Sequence, residues 1–361
     1  MKQFQIHKAD LATTRIVEID QAEIEPGEGE ILVKVDGFGF SANNITYTVA
    51  GETLGYWQFF PPVGEDAEGW GVLPVWGFAE VVSSNLEALK VGERLFGYFP
   101  PATHLLMSPE GISDAQFFDG AGHRAQLPKG YNIYRRVDAE PGYDKAGDAM
   151  RMLLFPLYIT SFCLWDLMKE HGWYGAKQII IVSASSKTSI GLDYALHADD
   201  EAPEVVGLTS AGNMAFVESL GIYDTCLDYG DLDSVEAKPT AIVDMSGNAE
   251  VLGRLHAHLG ANMVRTLNVG LTHWESPRKD HKINRDRSEF FFAPSQIQKR
   301  MKEWGAEGFG EKSSAFIQQT AAKSESWLEL KKIDGLDGVE KIYSEALRGD
   351  MRPQEGLIVE L

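Results

Sequence analysis

The sequence predicts an α/β protein in which a β-rich part comes first and a doubly wound parallel sheet follows. Three observations predict it. Before residue 150 the apolar residues fall in short runs bounded by turn residues, with no long amphipathic helix. From about residue 150, buried-strand runs alternate with helical patterns, the spacing of a parallel, helix-covered sheet. From about Ser326 the chain reverts to strand, helix and a terminal strand, Gly356 to Leu361. A terminal strand must pair somewhere. The simplest partner is the first part, which makes that domain discontinuous. A length of 361 residues is compatible with two domains.

The elements follow in order. Ile31 to Val35 is a strand introduced by the turn residues Pro26, Gly27 and Gly29. Tyr47 to Trp76, aromatic and carrying Pro61-Pro62, reads as a long irregular segment. Val75 to Val82 is a strand stopped by Ser83-Ser84-Asn85, and LKVGERLFGYF reads as turn then strand. Met150 to Lys169 has a helical apolar pattern. The strand Gln178 to Ser183 (QIIIVS) then leads through a small-residue turn into a helix from Ser189 to His197. Glu204 to Leu208 is a second strand and Ala211 to Leu220 a second helix. Further strands are expected at Ala241 to Asp244 and Asn262 to Leu267.

Composition narrows the function. The formal net charge is −20, with 53 acidic and 33 basic residues. That balance argues against a nucleic-acid partner and against anionic membranes. The two cysteines, Cys163 and Cys226, are 63 positions apart and outside any CxxC or Cys/His cluster, so a four-thiolate zinc site and a disulfide framework are excluded. They read as small buried thiols. The first residues lack an apolar signal region, and no uncharged apolar run reaches 18 residues, so a cytoplasmic protein is expected.

The segment IVSASSKTSIG (Ile181 to Gly191) sits between a buried strand and a helix, where a dinucleotide pyrophosphate binds in such sheets. Ser183, Ser186 and Ser189 occupy the places of the three glycines of a GxGxxG turn. Serine is small enough for close backbone approach but lacks the free access of glycine to positive φ. Lys187 adds a cation beside the helix amides. The same segment also reads as a capped helix start. The second strand ends in Leu208-Thr209-Ser210 with Asn213 nearby and no carboxylate. Ser210 and Asn213 can therefore bond a 2′-phosphate, favouring NADPH over NADH, and can equally cap the next helix.

The order of the motifs resembles the medium-chain dehydrogenase/reductase superfamily, in its zinc-free, quinone-oxidoreductase-like branch. PGEGEILVKVDGFGFSANNITYTVAGE is similar to that family's opening segment, with Asn43 at its active-site asparagine. LKVGERLFGYF resembles its strand pair. LLFPLYITSFCLWDL resembles its Pro…Thr helix, with Thr160 at the nicotinamide-contacting threonine. VSASSKTSIGLDYALHA falls in register with its glycine-rich loop, LGIYDTCLDY and AIVDMSG with later strands, and EGLIVEL with its final strand. LPVWGFAEV, FFFAP and the SASSKTS loop resemble a subfamily with a serine-rich nucleotide loop.

The resemblance implies a GroES-like domain of residues 1–149 and 326–361 and a Rossmann-type domain of residues 150–325, with a cleft between them. It implies an NADPH-dependent oxidoreductase acting on a small carbonyl, enone or quinone, and a homodimer. It implies cofactor contacts at Thr160, Ser183, Ser185, Ser186, Lys187, Thr188, Ser210, Asn213, Tyr229, Ser246, Gly247, Val269 and Gly270. Phe40 and Ser41 stand where zinc-dependent members carry a ligand, and no cysteine occurs in the first 150 residues, so no zinc is expected.

Hydride transfer without zinc needs another proton donor or oxyanion partner. Tyr47, four residues after Asn43, and Tyr56 are the candidates, Asn43 holding a substrate oxygen or the nicotinamide ribose. Both tyrosines also read as half-buried aromatics, and Asn43 as a turn residue. His104, in a loop, and His123 are further titratable candidates. Arg135-Arg136 can bind an anionic substrate or lie solvated. His256 and His258, two apart, face different ways and share no metal. The run Arg278 to Arg287 is a solvated loop or lines the cofactor's phosphate end, and Phe290 to Phe292 with Pro294 wall a cleft or pack in the core. Two other functions suit the same fold: a lyase acting through carbonyl activation, and an NADPH-binding protein without turnover.

Overall fold

The structure is a computed structural model that describes residues 1–20, 24–270 and 283–361. In chain order it runs through β1 (Lys2–His7), β2 (Asp10–Glu18), β3 (Ile31–Phe40), α1 (Ala42–Val49), β4 (Trp70–Gly71), β5 (Val75–Ser84), β6 (Arg94–Phe99), β7 (His104–Met107), β8 (Pro109–Glu110), β9 (Gln116–Asp119) and β10 (Ile133–Arg136). Next come α2 (Asp148–Glu170), β11 (Gln178–Val182), α3 (Lys187–His197), β12 (Glu204–Thr209), α4 (Met214–Leu220), β13 (Thr225–Asp228), β14 (Thr240–Asp244), α5 (Ala249–Leu259), β15 (Met263–Asn268), β16 (Ser288–Phe290) and α6 (Ala293–Ser324). The chain ends in β17 (Glu329–Asp334), α7 (Gly335–Leu347) and β18 (Glu355–Glu360). It divides into two compact units: Met1–Leu153 with Glu329–Met351 and Glu355–Leu361, and Leu154–Leu328 with Arg352–Gln354.

The first unit is built on two sheets. One has the order β2-β1-β4; the other runs β17-β18-β3-β5-β6-β10-β9-β8, with β7 also on β3. The terminal strand β18 pairs antiparallel with β3, Leu357 opposite Phe40 and Val359 opposite Phe38. Gly37 is needed there, because a Cβ would lie 2.4 Å from the Val359 carbonyl oxygen. Phe38, Phe40, Val33 and Val35 are fully buried, each contributing about 1.5–3 kcal/mol of transfer free energy.

The second unit is one parallel sheet of order β13-β12-β11-β14-β15-β16. Both faces of the strand QIIIV are covered, which is why it reads as a continuous apolar run. Ile179 and Ile181 pack on one side with Phe162 of α2, Leu192 of α3, Val217 of α4 and Phe309 of α6. Ile180 and Val182 pack on the other with Val251, Leu252 and Leu255 of α5. The strand order reverses between β11 and β14. In such sheets that switch point opens a crevice beyond the carboxyl ends of the strands.

Some sequence expectations need correction. Tyr47 does not begin an irregular segment; it lies in α1. Ser41 caps that helix with a reciprocal box to Asn44, and Ile45, Tyr47 and Thr48 are buried. His104 is not in a loop but opens β7, opposite Lys34 of β3. Of Phe290 to Phe292, Phe290 is exposed, Phe291 is buried, and Pro294 sits in the first turn of α6. Among the described residues, the helical stretch that contains α2 is long and apolar enough to cross a membrane by length and composition, and 67% of its most apolar window is buried inside the protein. Buried residues along its length, from Leu153 to Met168, pack into hydrophobic cores.

Candidate functional site

In the first unit the site is built by α1. Its cap puts Asn43 in the first turn and Tyr47 one turn later on the same face. The Asn43 amide, the Trp76 indole and the Tyr98 hydroxyl are the polar groups that act on the Tyr47 hydroxyl. Tyr56, in the short helical turn Tyr56–Gln58, packs on Tyr47 with ring centroids 4.6 Å apart, and its hydroxyl is 3.1 Å from that of Tyr131. Tyr131 packs tilted on Tyr98 at 4.8 Å, and Tyr98 meets Tyr47 edge-on at 5.8 Å. The structure thus joins all three residues expected to act in catalysis, and adds Tyr98, Tyr131 and Trp76.

Burial decides the protonation of this cluster. Removal from water disfavours a phenolate, so the Tyr47 hydroxyl is pushed up to about 12 and Tyr56, Tyr98 and Tyr131 are raised as well. At neutral pH all four keep their protons. They are hydrogen-bond donors and proton sources, and they are not bases.

The other titratable candidates of the first unit have separate employment. His123 Nε2 donates to the Phe59 carbonyl at 3.1 Å. His104 Nδ1 is 3.0 Å from the Thr103 hydroxyl, and burial lowers its pKa. Arg136 is held by Glu93 through two bonds of 2.9 and 3.0 Å. Burial lowers the pKa of Arg135, with Glu140 and Arg151 as its charged neighbours.

In the second unit the carboxyl ends of β11, β12, β14 and β15 gather the expected cofactor residues. Ser183 follows β11 with φ of +68°, the left-handed conformation that the first glycine of such a loop supplies freely. Ser186 caps α3 by accepting from the Ser189 amide at 3.1 Å, while the Ser189 hydroxyl donates to the Ser183 carbonyl at 2.8 Å. The loop therefore caps the helix and also makes the tight turn. Lys187 Nζ donates to the Pro353 carbonyl at 2.8 Å. The first turn of α3 presents its amides at this end, as helix N-termini do.

Ser210 and Asn213 do not cap the next helix by their side chains, contrary to one of the two readings. Asn213 Nδ2 instead donates to the Ser185 hydroxyl at 3.2 Å, tying the end of β12 to the serine loop. Ser210 is exposed. The Tyr229 hydroxyl reaches Ser183, and burial raises its pKa. The carboxylate nearest in register is Asp228 of the edge strand, opposite Thr209; its Oδ1 accepts from the Gly230 amide at 2.6 Å.

After β14, Asp244 organises the other lip. Its Oδ1 accepts from the Ser246 amide at 2.9 Å, the Ser246 hydroxyl at 2.7 Å and the Gly247 amide at 3.1 Å. Its carbonyl accepts from the Val269 and Gly270 amides. Gly247 has φ of +68°, and a Cβ on Gly270 would lie 1.7 Å from the Met245 carbonyl oxygen. This is a backbone cradle with room for no side chain at its closest point. Thr160 of α2 donates its hydroxyl to the Pro156 carbonyl at 2.9 Å, the i−4 back-bond common for threonine in helices. Cradle and donor set suit a phosphate-bearing dinucleotide.

Among the described residues no group of three His, Cys, Asp or Glu side chains is arranged to hold a metal ion. His256 is buried with Nε2 3.0 Å from the Thr266 hydroxyl and Nδ1 accepting from the Asn284 amide at 2.9 Å, which fixes a neutral ring. Burial lowers it to about 4. His258 donates to the Val235 carbonyl at 2.7 Å. Of the run Arg278 to Arg287, residues 278–282 lie outside the described residues; Arg287 donates to the carbonyls of Ala261 and Met263. Burial raises both thiol pKa values, so Cys163 and Cys226 are not thiolates.

The sequence profile of a family described as a protein of unknown function, DUF2855, matches residues 38–352. No curated protein matches the sequence. Solved structures do. CurA from Vibrio vulnificus in complex with NADPH is 13% identical, with a TM-score of 0.66 over 100% of this chain and 99% of that one. The mycobacterial protein Rv1454c complexed with NADPH is 15% identical at a TM-score of 0.58, covering both chains fully. A mutant form of enoyl thioester reductase from Candida tropicalis is 13% identical at 0.54, over 100% and 99%. At these identities the likeness establishes the fold: a GroES-like part and a Rossmann part, the architecture of medium-chain dehydrogenases/reductases.

Proposed function

The chain belongs to the DUF2855 family, and we propose that it is an NADPH-dependent oxidoreductase acting on a small carbonyl, enone or quinone. The observation that carries the reading is the cradle at the β11/β14 switch point. There Ser183 and Gly247 take left-handed turns, Gly270 admits close approach, and strand β12 ends without a carboxylate. Neighbours of the same fold hold NADPH, which supports the assignment. Ser185 and Asn213 shape the pocket for the adenosine end, and Ser210 is free of the capping bond that would otherwise engage it.

When bound, the nicotinamide supplies the hydride. Tyr47 supplies the proton: its hydroxyl is neutral at pH 7, oriented by Asn43, and released only against the cost of a buried phenolate. Transfer therefore waits for an oxygen or carbon that gains charge as the hydride arrives. The Asn43 amide, the Trp76 indole and the Tyr98 hydroxyl, the polar groups that favour the ionised form of Tyr47, stabilise the developing phenolate. The aromatic walls around Tyr47 favour an apolar or conjugated substrate over a polyol. The reading includes zinc-independent chemistry in a cytoplasmic homodimer.

The test is a panel of enones, quinones and aldehydes with purified protein and NADPH. The reading expects NADPH to be consumed in one-to-one proportion to reduced product. Product formed without net NADPH consumption would replace it with a lyase, and saturable NADPH binding with no turnover on any member would replace it with a binding protein.

A further inference from the structure

The nucleotide cradle lies at the carboxyl ends of the parallel strands. At the opposite, amino ends of β12 and β13 is a second cleft of about 460 Å³. Five carboxylates line it, Asp193, Asp199, Asp200, Glu204 and Asp224, together with His197, and among the described residues no lysine or arginine does. Three of these have partners. Asp199 accepts from the Trp165 indole at 2.9 Å and Lys169 at 2.8 Å, Asp224 from the Val205 amide at 2.7 Å, and Glu204 from Lys238 at 2.5 Å.

Asp193 is different. It is fully buried on α3, and neither carboxylate oxygen has a hydrogen-bond partner. A carboxyl group withdrawn from water with nothing to bond is an unstable arrangement, and native structures keep few of them. The charged and titratable groups around it are Asp224 just before β13, Tyr223 and Cys226 beside it, Tyr194 and His197 on its own helix, and Lys323 of α6. Burial and Asp224 outweigh Lys323, so the group sits protonated, pushed up to about 8. A cation arriving at the floor of the cleft would supply both the missing donors and the missing charge.

We propose that this cleft is a binding site for an organic polyamine, one ammonium head seated between Asp193 and Asp224 and a second at Asp199, Asp200 and Glu204. The volume exceeds that of an inorganic ion and admits a methylene chain, for which Leu196, Pro203 and Ile222 provide apolar wall. No described trio of carboxylates is close enough to enclose a metal. Binding converts a protonated Asp193 to the carboxylate, and the proton leaves to solvent. The ammonium head keeps its charge, so charge and atoms balance with one proton released per ligand.

Calorimetric titration of the full chain with spermidine, at pH 7 and fixed ionic strength, tests this. Two buffers of different ionisation enthalpy report the proton. The expected result is one saturable site, release approaching one proton per spermidine, and at least a tenfold loss of affinity with no proton release in Asp193→Asn. The proton count is read on the unaltered protein, so it stands even where the variant fails to fold. Absence of saturable heat, binding without proton release, or equal displacement by magnesium at the same concentration overturns the proposal.

Discussion

Replacing Asp193 with asparagine will change how stability depends on pH. The carboxyl is held near 8 in the fold, against an ordinary value of 3.8. Between those values the folded chain keeps a proton that the unfolded chain gives up. Stability from this group is therefore greatest below about pH 4 and is lost as pH rises towards 8, at about 1.4 kcal/mol per pH unit. Between pH 5 and pH 7 the loss is about 3 kcal/mol. Asparagine has the same shape and does not titrate, so Asp193→Asn escapes that loss. For a unit of this size the difference is roughly 6–12 °C of melting temperature. Melting of both proteins by scanning calorimetry at pH 5 and pH 7, at one ionic strength, is the assay. Any packing effect of the amide is common to both pH values and cancels. The variant should gain on the wild type by that margin as pH rises. A gap that stays the same at both pH values would refute the reasoning, because Asp193 would then be ionised in the fold.

Other predictions follow from the same geometry. Tyr47→Phe removes the proposed acid and leaves the ring packing intact, so steady-state kinetics should show kcat lowered about 100-fold with the KM for NADPH unchanged. Ser183→Gly relieves a left-handed serine at some cost in chain entropy, and should raise stability by about 0.5 kcal/mol without weakening NADPH binding, read by melting with and without cofactor. The neutral His256 opposes Asp193 in sign: its pKa is lowered to about 4 from 6.5, so stability is complete above pH 6.5 and lost as pH falls towards 4. The loss is about 3 kcal/mol, and His256→Gln should flatten it in acid melting curves.

The parallel sheet was the most legible part of the sequence, because a strand covered on both faces must be continuously apolar, and QIIIV is. The loop after it was legible as a tight strand-to-helix turn by its position and small residues. That Ser183 would take the left-handed turn was not, since serine rarely does. Ser41 and Asn44 carried a capping signal for α1, with asparagine in place of the usual glutamate, and the aromatic richness that follows masked it. Helix α6 was missed because Gly305, where φ is +78°, and the glycines at 308 and 310 blur its apolar period. Tyr98 was within reach of reasoning, as a large residue in the strand Arg94–Phe99, whereas Tyr131 joins the cluster only through tertiary packing. Asp193 had no signal at all. An aspartate in GLDYALH reads as the solvent face of a helix, and only the fold buries it. The order of the family-like segments gave the architecture that the solved neighbours share.

Cofactor binding is the claim on which the rest depends. A titration of the full chain with NADPH and with NADH, followed by quenching of its eight tryptophans, measures it directly. A preference for NADH would assign the ribose to Asp228 and correct only the choice of nucleotide. The account predicts saturation by NADPH at micromolar concentration, about 8 kcal/mol of binding free energy, with NADH weaker. Failure of both nucleotides to bind at millimolar concentration would contradict it.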